Sequence, residues 1–141
     1  GGVGTDRLVG NTGRDFLYGG SENDRVVGGG GNDELRGAKG NDVVIGNSGN
    51  DRINGGEDND NLFGGADADT FVFDRDSGAD RIRDFGDGAD QIDLRDYDIG
   101  SFAGLDIMQV GDNVVITLTD TDRIQLDNTL VADLGASDFI L

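Results

Sequence analysis

The chain has no cysteine, no histidine, no proline and no tryptophan, and only one methionine among its 141 residues. Without cysteine there are no disulfides and no thiol chemistry. Without histidine the most common general base and the usual nitrogen ligand of zinc are missing. Any metal site must therefore be built from oxygen alone. Lysine and arginine are scarce too, 11 against 29 acidic residues, which leaves a net charge of −18. Such a polyanion repels nucleic acid and anionic membranes, so neither is expected as a partner. No apolar run approaches the length of a membrane span, and the first residues lack the basic and apolar segments of a standard export leader. Hydrophobic residues make up 35% of the chain, thin for the core of one domain or two small ones, so something other than core burial is expected to help hold it together.

What is abundant is glycine and aspartate. There are 26 glycines, and the acidic residues are 26 Asp to 3 Glu, a bias toward the shorter carboxylate that suits turns and cation ligation better than helices. A stretch such as GGGGNDELR, residues 28–36, looks like a flexible linker until the chain is written in nines. From Gly1 to Val72 it reads GGVGTDRLV, GNTGRDFLY, GGSENDRVV, GGGGNDELR, GAKGNDVVI, GNSGNDRIN, GGEDNDNLF and GGADADTFV, eight copies with no insertion or deletion. Position 1 is always Gly. Position 6 is always Asp: Asp6, Asp15, Asp24, Asp33, Asp42, Asp51, Asp60 and Asp69. Position 8 is always apolar: Leu8, Leu17, Val26, Leu35, Val44, Ile53, Leu62 and Phe71.

This regularity excludes the blander readings. A disordered acidic tract has no reason to keep one apolar residue in register. Collagen needs glycine every third residue together with proline. A phosphate-cradling loop needs Lys followed by Ser or Thr, whereas Gly28 to Gly31 lead into Asn32 and Asp33.

Each nine divides into a turn and a strand. Positions 1 to 6 carry Gly, Asn and Asp, which tolerate positive φ. Positions 7 to 9 predict a three-residue strand whose central side chain points inward. If successive nines alternate between two facing parallel sheets, copy n stacks on copy n+2. Leu8, Val26, Val44 and Leu62 then line one sheet, and Leu17, Leu35, Ile53 and Phe71 the other. The aspartates stack as well, about 4.7–4.9 Å apart. A cation midway would sit about 2.4 Å from each layer, which suits calcium and is too long for magnesium. The remaining ligands are expected to be turn carbonyls.

The nonapeptide resembles the calcium-binding repeat of RTX proteins, the β-roll found toward the C-terminus of secreted bacterial proteins such as serralysin-type proteases and alginate epimerases. The resemblance implies an all-β fold: a right-handed parallel β-roll over residues 1–72, followed over residues 73–141 by an antiparallel β cap and secretion-signal region. It also implies calcium between copies n and n+2. The ligands would be the carbonyls of positions 2 and 4 and the aspartate of the first copy, with the carbonyls of positions 1 and 3 and the aspartate of the second. Carried onto this chain, the sets are Gly2, Gly4, Asp6, Gly19, Ser21 and Asp24; Asn11, Gly13, Asp15, Gly28, Gly30 and Asp33; Gly20, Glu22, Asp24, Gly37, Lys39 and Asp42. The others are Gly29, Gly31, Asp33, Gly46, Ser48 and Asp51; Ala38, Gly40, Asp42, Gly55, Glu57 and Asp60; and Asn47, Gly49, Asp51, Gly64, Ala66 and Asp69. Six sites follow. Position 4 departs from Gly at Glu22, Asp58 and Asp67, and since Glu accepts positive φ less readily than Asp, the third copy is expected to hold a weak or distorted site.

After Val72 the period breaks. GADRIRDFGDGADQIDL, residues 78–94, holds two Asp-bearing turns and resembles the segment that follows the roll in the serralysin group. Asp80 or Asp90 would close the metal columns there, or be solvated turn acids. LDIMQVGDNVVITLTDTDRIQL, residues 105–126, alternates around Gly111-Asp112-Asn113 and Asp120-Thr121-Asp122, a β-meander pattern. It is expected to cover the open sheet ends. A short helix is expected near Ser137 or within Leu130 to Leu134. The closing Asp138 to Leu141, DFIL, resembles the C-terminus through which such proteins engage a type I secretion apparatus; alternatively it is a last strand.

The function expected from these features is a non-catalytic, monomeric module of a larger secreted bacterial protein. It would stay unfolded where calcium is scarce and fold cooperatively outside the cell, where sites of this kind bind at about 10⁻⁴–10⁻³ M. An alternative is binding of an extracellular polysaccharide or other polyanion through outward residues, with Arg7 above Arg25 and Tyr18 above Arg36, although Val43 and Asn61 interrupt the first column. An enzyme is disfavoured because the carboxylates are already assigned at repeat spacing. Ice binding would need a threonine array that is absent.

Overall fold

In a computed structural model, which describes residues 1–86 and 89–141, the nonapeptides wind into a parallel β-solenoid of two facing sheets. One sheet holds β1 (Gly2–Val3), β3 (Phe16–Ser21), β5 (Glu34–Lys39), β7 (Arg52–Glu57), β9 (Thr70–Val72), β11 (Gln91–Asp93) and β15 (Phe139–Ile140), in that order. The other runs β2 (Arg7–Thr12), β4 (Arg25–Gly30), β6 (Val43–Ser48), β8 (Asn61–Ala66), β10 (Ala79–Ile82), β14 (Arg123–Leu126), β13 (Asn113–Thr117) and β12 (Asp106–Val110). Copy n pairs in parallel with copy n+2, as the 18-residue coil predicts: Leu8 opposes Val26, and Leu17 opposes Leu35. No α-helix is found among the described residues, so none is long and apolar enough to cross a membrane.

The repeat strands are longer than predicted. β2 to β8 each run six residues, through positions 7 to 9 and on into positions 1 to 3 of the next copy, and only β9 keeps to three. The ladder pairs Val9 with Val27 and then Asn11 with Gly29, passing over Gly10 and Gly28. The position passed over is the invariant glycine, whose carbonyl has another role, described below.

The core is one side chain wide, as a single inward residue per strand requires. Val26, Leu35, Val44, Ile53, Leu62 and Phe71 are at most 1% exposed, whereas Leu8 and Leu17, at the end of the stack, are only partly covered. The break in period at residue 73 is not a break in the sheets. Arg81 and Ile82 of β10 pair with Asn61 and Leu62, and Ile92 of β11 pairs with Phe71. β14 then joins β10 in parallel and β13 in antiparallel, which gives the predicted meander. The helices expected near the C-terminus are single 3-10 turns at Val131–Asp133 and Ala136–Asp138. Phe139 and Ile140 are the last strand, paired with β11.

Candidate metal centre

The turns between strands place positions 2 and 4 at positive φ. Most are Gly or Asn, but Ala38 sits at φ 99° and Glu22 at φ 78°. Glu22 matches Asp58 and Asp67, both at 81°, so the turn of the third copy follows the same backbone path. The two aspartates at position 4 also hold the layer before them. Asp58 accepts the Gly40 N–H at 3.2 Å, and Asp67 accepts that of Gly49 at 3.1 Å.

The position-6 aspartates form two columns. In one, Oδ1 of Asp24, Asp42, Asp60 and Asp80 accepts the backbone N–H of Asp6, Asp24, Asp42 and Asp60 respectively, at 2.7–3.0 Å. In the other, Oδ1 of Asp33, Asp51, Asp69 and Asp90 accepts from Asp15, Asp33, Asp51 and Asp69 at 2.8–3.0 Å. Both predicted end residues therefore stand in line with the repeats. Both are engaged further by the protein: the Asp80 carboxylate takes a hydrogen bond from the Ser77 side chain, and Asp90 Oδ2 accepts the Gly86 N–H at 2.8 Å. Between those two turns, Asp87 and Gly88 lie outside the described residues.

In the repeats the second oxygen has no such partner. Oδ2 of Asp15, Asp24, Asp33, Asp42, Asp51, Asp60 and Asp69 is buried without a hydrogen bond, and from Asp24 onward the whole residue is at most 3% exposed. An orphaned anionic oxygen in the interior is costly unless something neutralises it. The position-1 glycine shows where that something belongs. A Cβ on any of the eight would strike Oδ2 of the aspartate five residues later. On the first six it would also meet the position-1 carbonyl two copies on: Gly19, Gly28, Gly37, Gly46, Gly55 and Gly64. In each of those six intervals a carboxylate oxygen and a carbonyl oxygen converge on one small space with no donor between them. This is why position 1 tolerates no side chain, and why its carbonyl leaves the strand ladder.

Electrostatics gives the same result. Burial, with the neighbouring aspartates adding to it, pushes the carboxyls of Asp42 and Asp51 up to about 6, Asp69 to about 7 and Asp60 to about 8. Asp80 rises to about 7 by burial. A cation would reverse these shifts, and a donor set of carboxylates and carbonyls selects a hard one such as calcium. Among the described residues no group of three or more acidic side chains converges, so each interval would need backbone carbonyls beside its two aspartates. The expected carbonyl set is only partly free. Those of Gly30 and Ser48 accept the N–H of Gly13 and Gly31 at 2.7 and 2.8 Å, which leaves one lone pair on each.

The sequence reading missed a second ladder. Position 5 is Asn in copies three to seven, and its side chain accepts the position-5 N–H of the layer after it: Asn23 from Asn41, Asn41 from Asn59, Asn32 from Asn50. Each turn is thus tied forward by aspartate and backward by asparagine. The recurrence of Asn was visible in the nines; its direction was not. Asp84 also went unnoticed, with its carboxylate on the N–H groups of Gly64 and Gly65 at 3.0 and 3.1 Å.

The model of the RTX calcium-binding nonapeptide repeat, four copies long, matches residues 1–35 and again 36–71. The chain belongs to the RTX repeat family. No curated protein sequence matches it. Among solved structures this RTX chain is similar to two subunits of the Azotobacter vinelandii mannuronan C5-epimerase. AlgE6R3 is 25% identical with a TM-score of 0.63, over 93% of this chain and 79% of that one. AlgE6R2 is 26% identical with a TM-score of 0.62, over 84% and 90%. The extracellular lipase LipA of Serratia marcescens shares the fold, with a TM-score of 0.51 at 16% identity, over 98% of this chain but 40% of the lipase.

Proposed function

We propose that this RTX module holds calcium in the six intervals between copies n and n+2, and that the ions complete its fold. The observation that carries the reading is the row of buried Oδ2 atoms without a partner, those of Asp15, Asp24, Asp33, Asp42 and Asp51 each beside a position-1 carbonyl. When bound, calcium supplies the positive charge that these oxygens lack. The chain's own residues do the rest. Oδ1 of each aspartate holds the preceding turn, glycine at position 1 keeps the cradle open, and the apolar ladder aligns the layers. Without the ion the columns repel and the one-residue core is too thin to compensate, so the chain is largely unfolded and orders cooperatively as calcium rises. That behaviour suits a module of a larger secreted bacterial protein, exported unfolded through a type I apparatus by way of Asp138 to Leu141 and folding outside the cell. The module itself is non-catalytic in this reading, and a hydrolase assay on it is expected to be blank. Far-UV circular dichroism through a calcium titration, with magnesium as control, tests the core of the proposal. A steep gain of β signal with calcium alone is expected, and a folded spectrum indifferent to a strong chelator would refute it.

One observation favours a second role, in binding an anionic polysaccharide. Arg36, Arg52, Arg81, Arg83 and Arg95 are ion-paired at 2.6–3.7 Å, but among the described residues Arg7 and Arg25 have no ion pair in spite of the surplus of carboxylates. They stand side by side, exposed, on the outer face of β2 and β4. Retention on immobilised alginate at raised salt, lost on replacing both with alanine, would support this role; passage through the column without delay would exclude it.

A further inference from the structure

Residues 75–83, RDSGADRIR, lie beyond the last matched repeat and out of the nine-residue phase by the pair Phe73-Asp74. In space they are a ninth copy. Asp80 takes position 6, accepting the Asp60 N–H at 3.0 Å as Asp60 accepts that of Asp42 at 2.7 Å. Ala79 takes position 5, donating its N–H to Asn59 Oδ1 at 2.9 Å, which continues the asparagine ladder. Gly78, at φ 89°, takes position 4, where a Cβ would strike the Asp58 carbonyl as one on Gly31 would strike that of Gly13. Asp76 supplies the positive φ of position 2, at 64°. The N–H of Arg81 reaches the Asp60 carbonyl at 2.9 Å, just as that of Asn61 reaches Asp42, and Ile82 fills position 8 with no exposure.

Only position 1 departs, with Arg75 in place of Gly. The departure has a physical reason. Glycine is needed where a copy's own aspartate turns Oδ2 into the next interval, and the Asp80 carboxylate is instead hydrogen-bonded by Ser77. Beyond it the turn is closed by the Asp122 carboxylate, which accepts the N–H groups of Asp76 and Gly78 at 3.1 and 3.2 Å. The interval before Asp80 does have its glycine, Gly55, and it contains the orphaned Oδ2 of Asp60, a residue 1% exposed.

We propose that the interval between the seventh copy and this hidden ninth is a seventh calcium site. Asp60 and Asp80 are its carboxylates, and the carbonyls of Gly56, Asp58, Arg75 and Ser77 complete it. The proposal rests on the calcium reading above and extends it past the periodic sequence. Residues 85–93, FGDGADQID, include Asp87 and Gly88, outside the described residues, and form no part of it.

Native mass spectrometry of the whole chain at saturating calcium tests it by counting ions. The wild type is expected to carry at least seven, and Asp80→Asn one fewer. Asn keeps a carbonyl oxygen for the Asp60 N–H, so the variant should still fold in calcium. A wild-type count of six or fewer overturns the seventh site while leaving the other six standing, and so does an unchanged count in a folded Asp80→Asn chain. A wild type that takes up no calcium overturns the underlying reading instead. If the variant does not fold, Asp90→Asn decides: its count stays at seven or more when the added ion lies between Asp60 and Asp80, and a fall to six, placing the ion between Asp69 and Asp90, overturns the site.

Discussion

Replacing Gly37 with alanine separates a ligand cradle from an ordinary turn. The added Cβ would lie 2.6 Å from the Gly55 carbonyl oxygen and closer still to Asp42 Oδ2, in the space where the two acceptors converge. The backbone there has ordinary φ, so the damage is confined to that space. The interval between Asp42 and Asp60 should lose its ion. By linkage, one lost site removes RT ln(1 + [Ca]/Kd), about 0.4 kcal/mol when calcium equals Kd and about 2.7 kcal/mol at a hundredfold excess. At roughly 3–5 °C per kcal/mol for a domain of this size, the melting temperature should fall by about 10 °C at high calcium and by only 1–2 °C near Kd. Gly30→Ala is the control, because its Cβ would meet nothing nearer than Ser48 Oγ at 3.5 Å. Thermal melts of both variants over a range of free calcium provide the assay. A deficit in Gly37→Ala that stays constant as calcium rises would mean plain overpacking and refute the reasoning, and so would a response equal to that of Gly30→Ala.

Three other perturbations follow from the same geometry. In the metal-free fold the raised carboxyls, from about 6 at Asp42 and Asp51 to about 8 at Asp60, bind protons that the unfolded chain has already released. Metal-free stability should therefore be greatest near pH 4–5 and be lost as pH rises toward 8, while the calcium midpoint falls over the same window. Circular dichroism of calcium-stripped protein that is no more structured at pH 4.5 than at pH 8 would contradict this. Ala38→Gly should stabilise the calcium-bound form by about 1 kcal/mol, since φ 99° strains any residue with a Cβ; a denaturant midpoint that moves the other way would count against it. Phe71→Ala should cost about 3–5 kcal/mol, because the ring is fully buried at the turn of the roll into its C-terminal half, against Phe85 at 6.3 Å. A loss below about 1 kcal/mol by chemical denaturation would show that this layer is loosely packed.

Where the period was strict, most of the architecture could be read from the residues. The apolar eighth position fixed which side chains face inward, and the 18-residue coil fixed Leu35 beneath Leu17 and above Ile53. The sixth position fixed the two aspartate columns. The unread parts have local causes. Strand length was underestimated because positions 2 and 3, rich in Gly and Asn, carry no strand propensity; they are held extended by pairing with their own counterparts two copies away. Glu22 keeps the φ of its counterparts because neighbouring layers fix the backbone more strongly than one side chain's preference opposes it. The ninth copy was hidden by an offset of two residues and an arginine in the glycine position, neither of which matters to a sheet that Arg81 and Ile82 can still join in register.

The shared aspartates make the columns more than a row of independent sites. Asp42 gives Oδ1 to the Asp24 N–H on one side and turns Oδ2 toward the Gly55 carbonyl on the other. An ion in either interval fixes the rotamer that the other requires, so the second ion meets a carboxylate already ordered. Its affinity rises by the ordering cost that the first has met. The asparagine ladder runs the opposite way, from Asn59 back to Asn41 and Asn23, so order in one layer is passed to both neighbours. Asp6 and Asp15 stand at the exposed end, whereas at the other end Asp80 and Asp90 are already held by Ser77 and Gly86 without any ion. Ordering should therefore begin at the C-terminal end of the columns, where protein donors do part of the cation's work, and spread toward Asp6. Asp60→Asn, next to that anchored end, should raise the calcium midpoint of the whole roll by more than Asp6→Asn at the open end, and equal shifts in circular dichroism titrations of the two variants would show the layers to be independent.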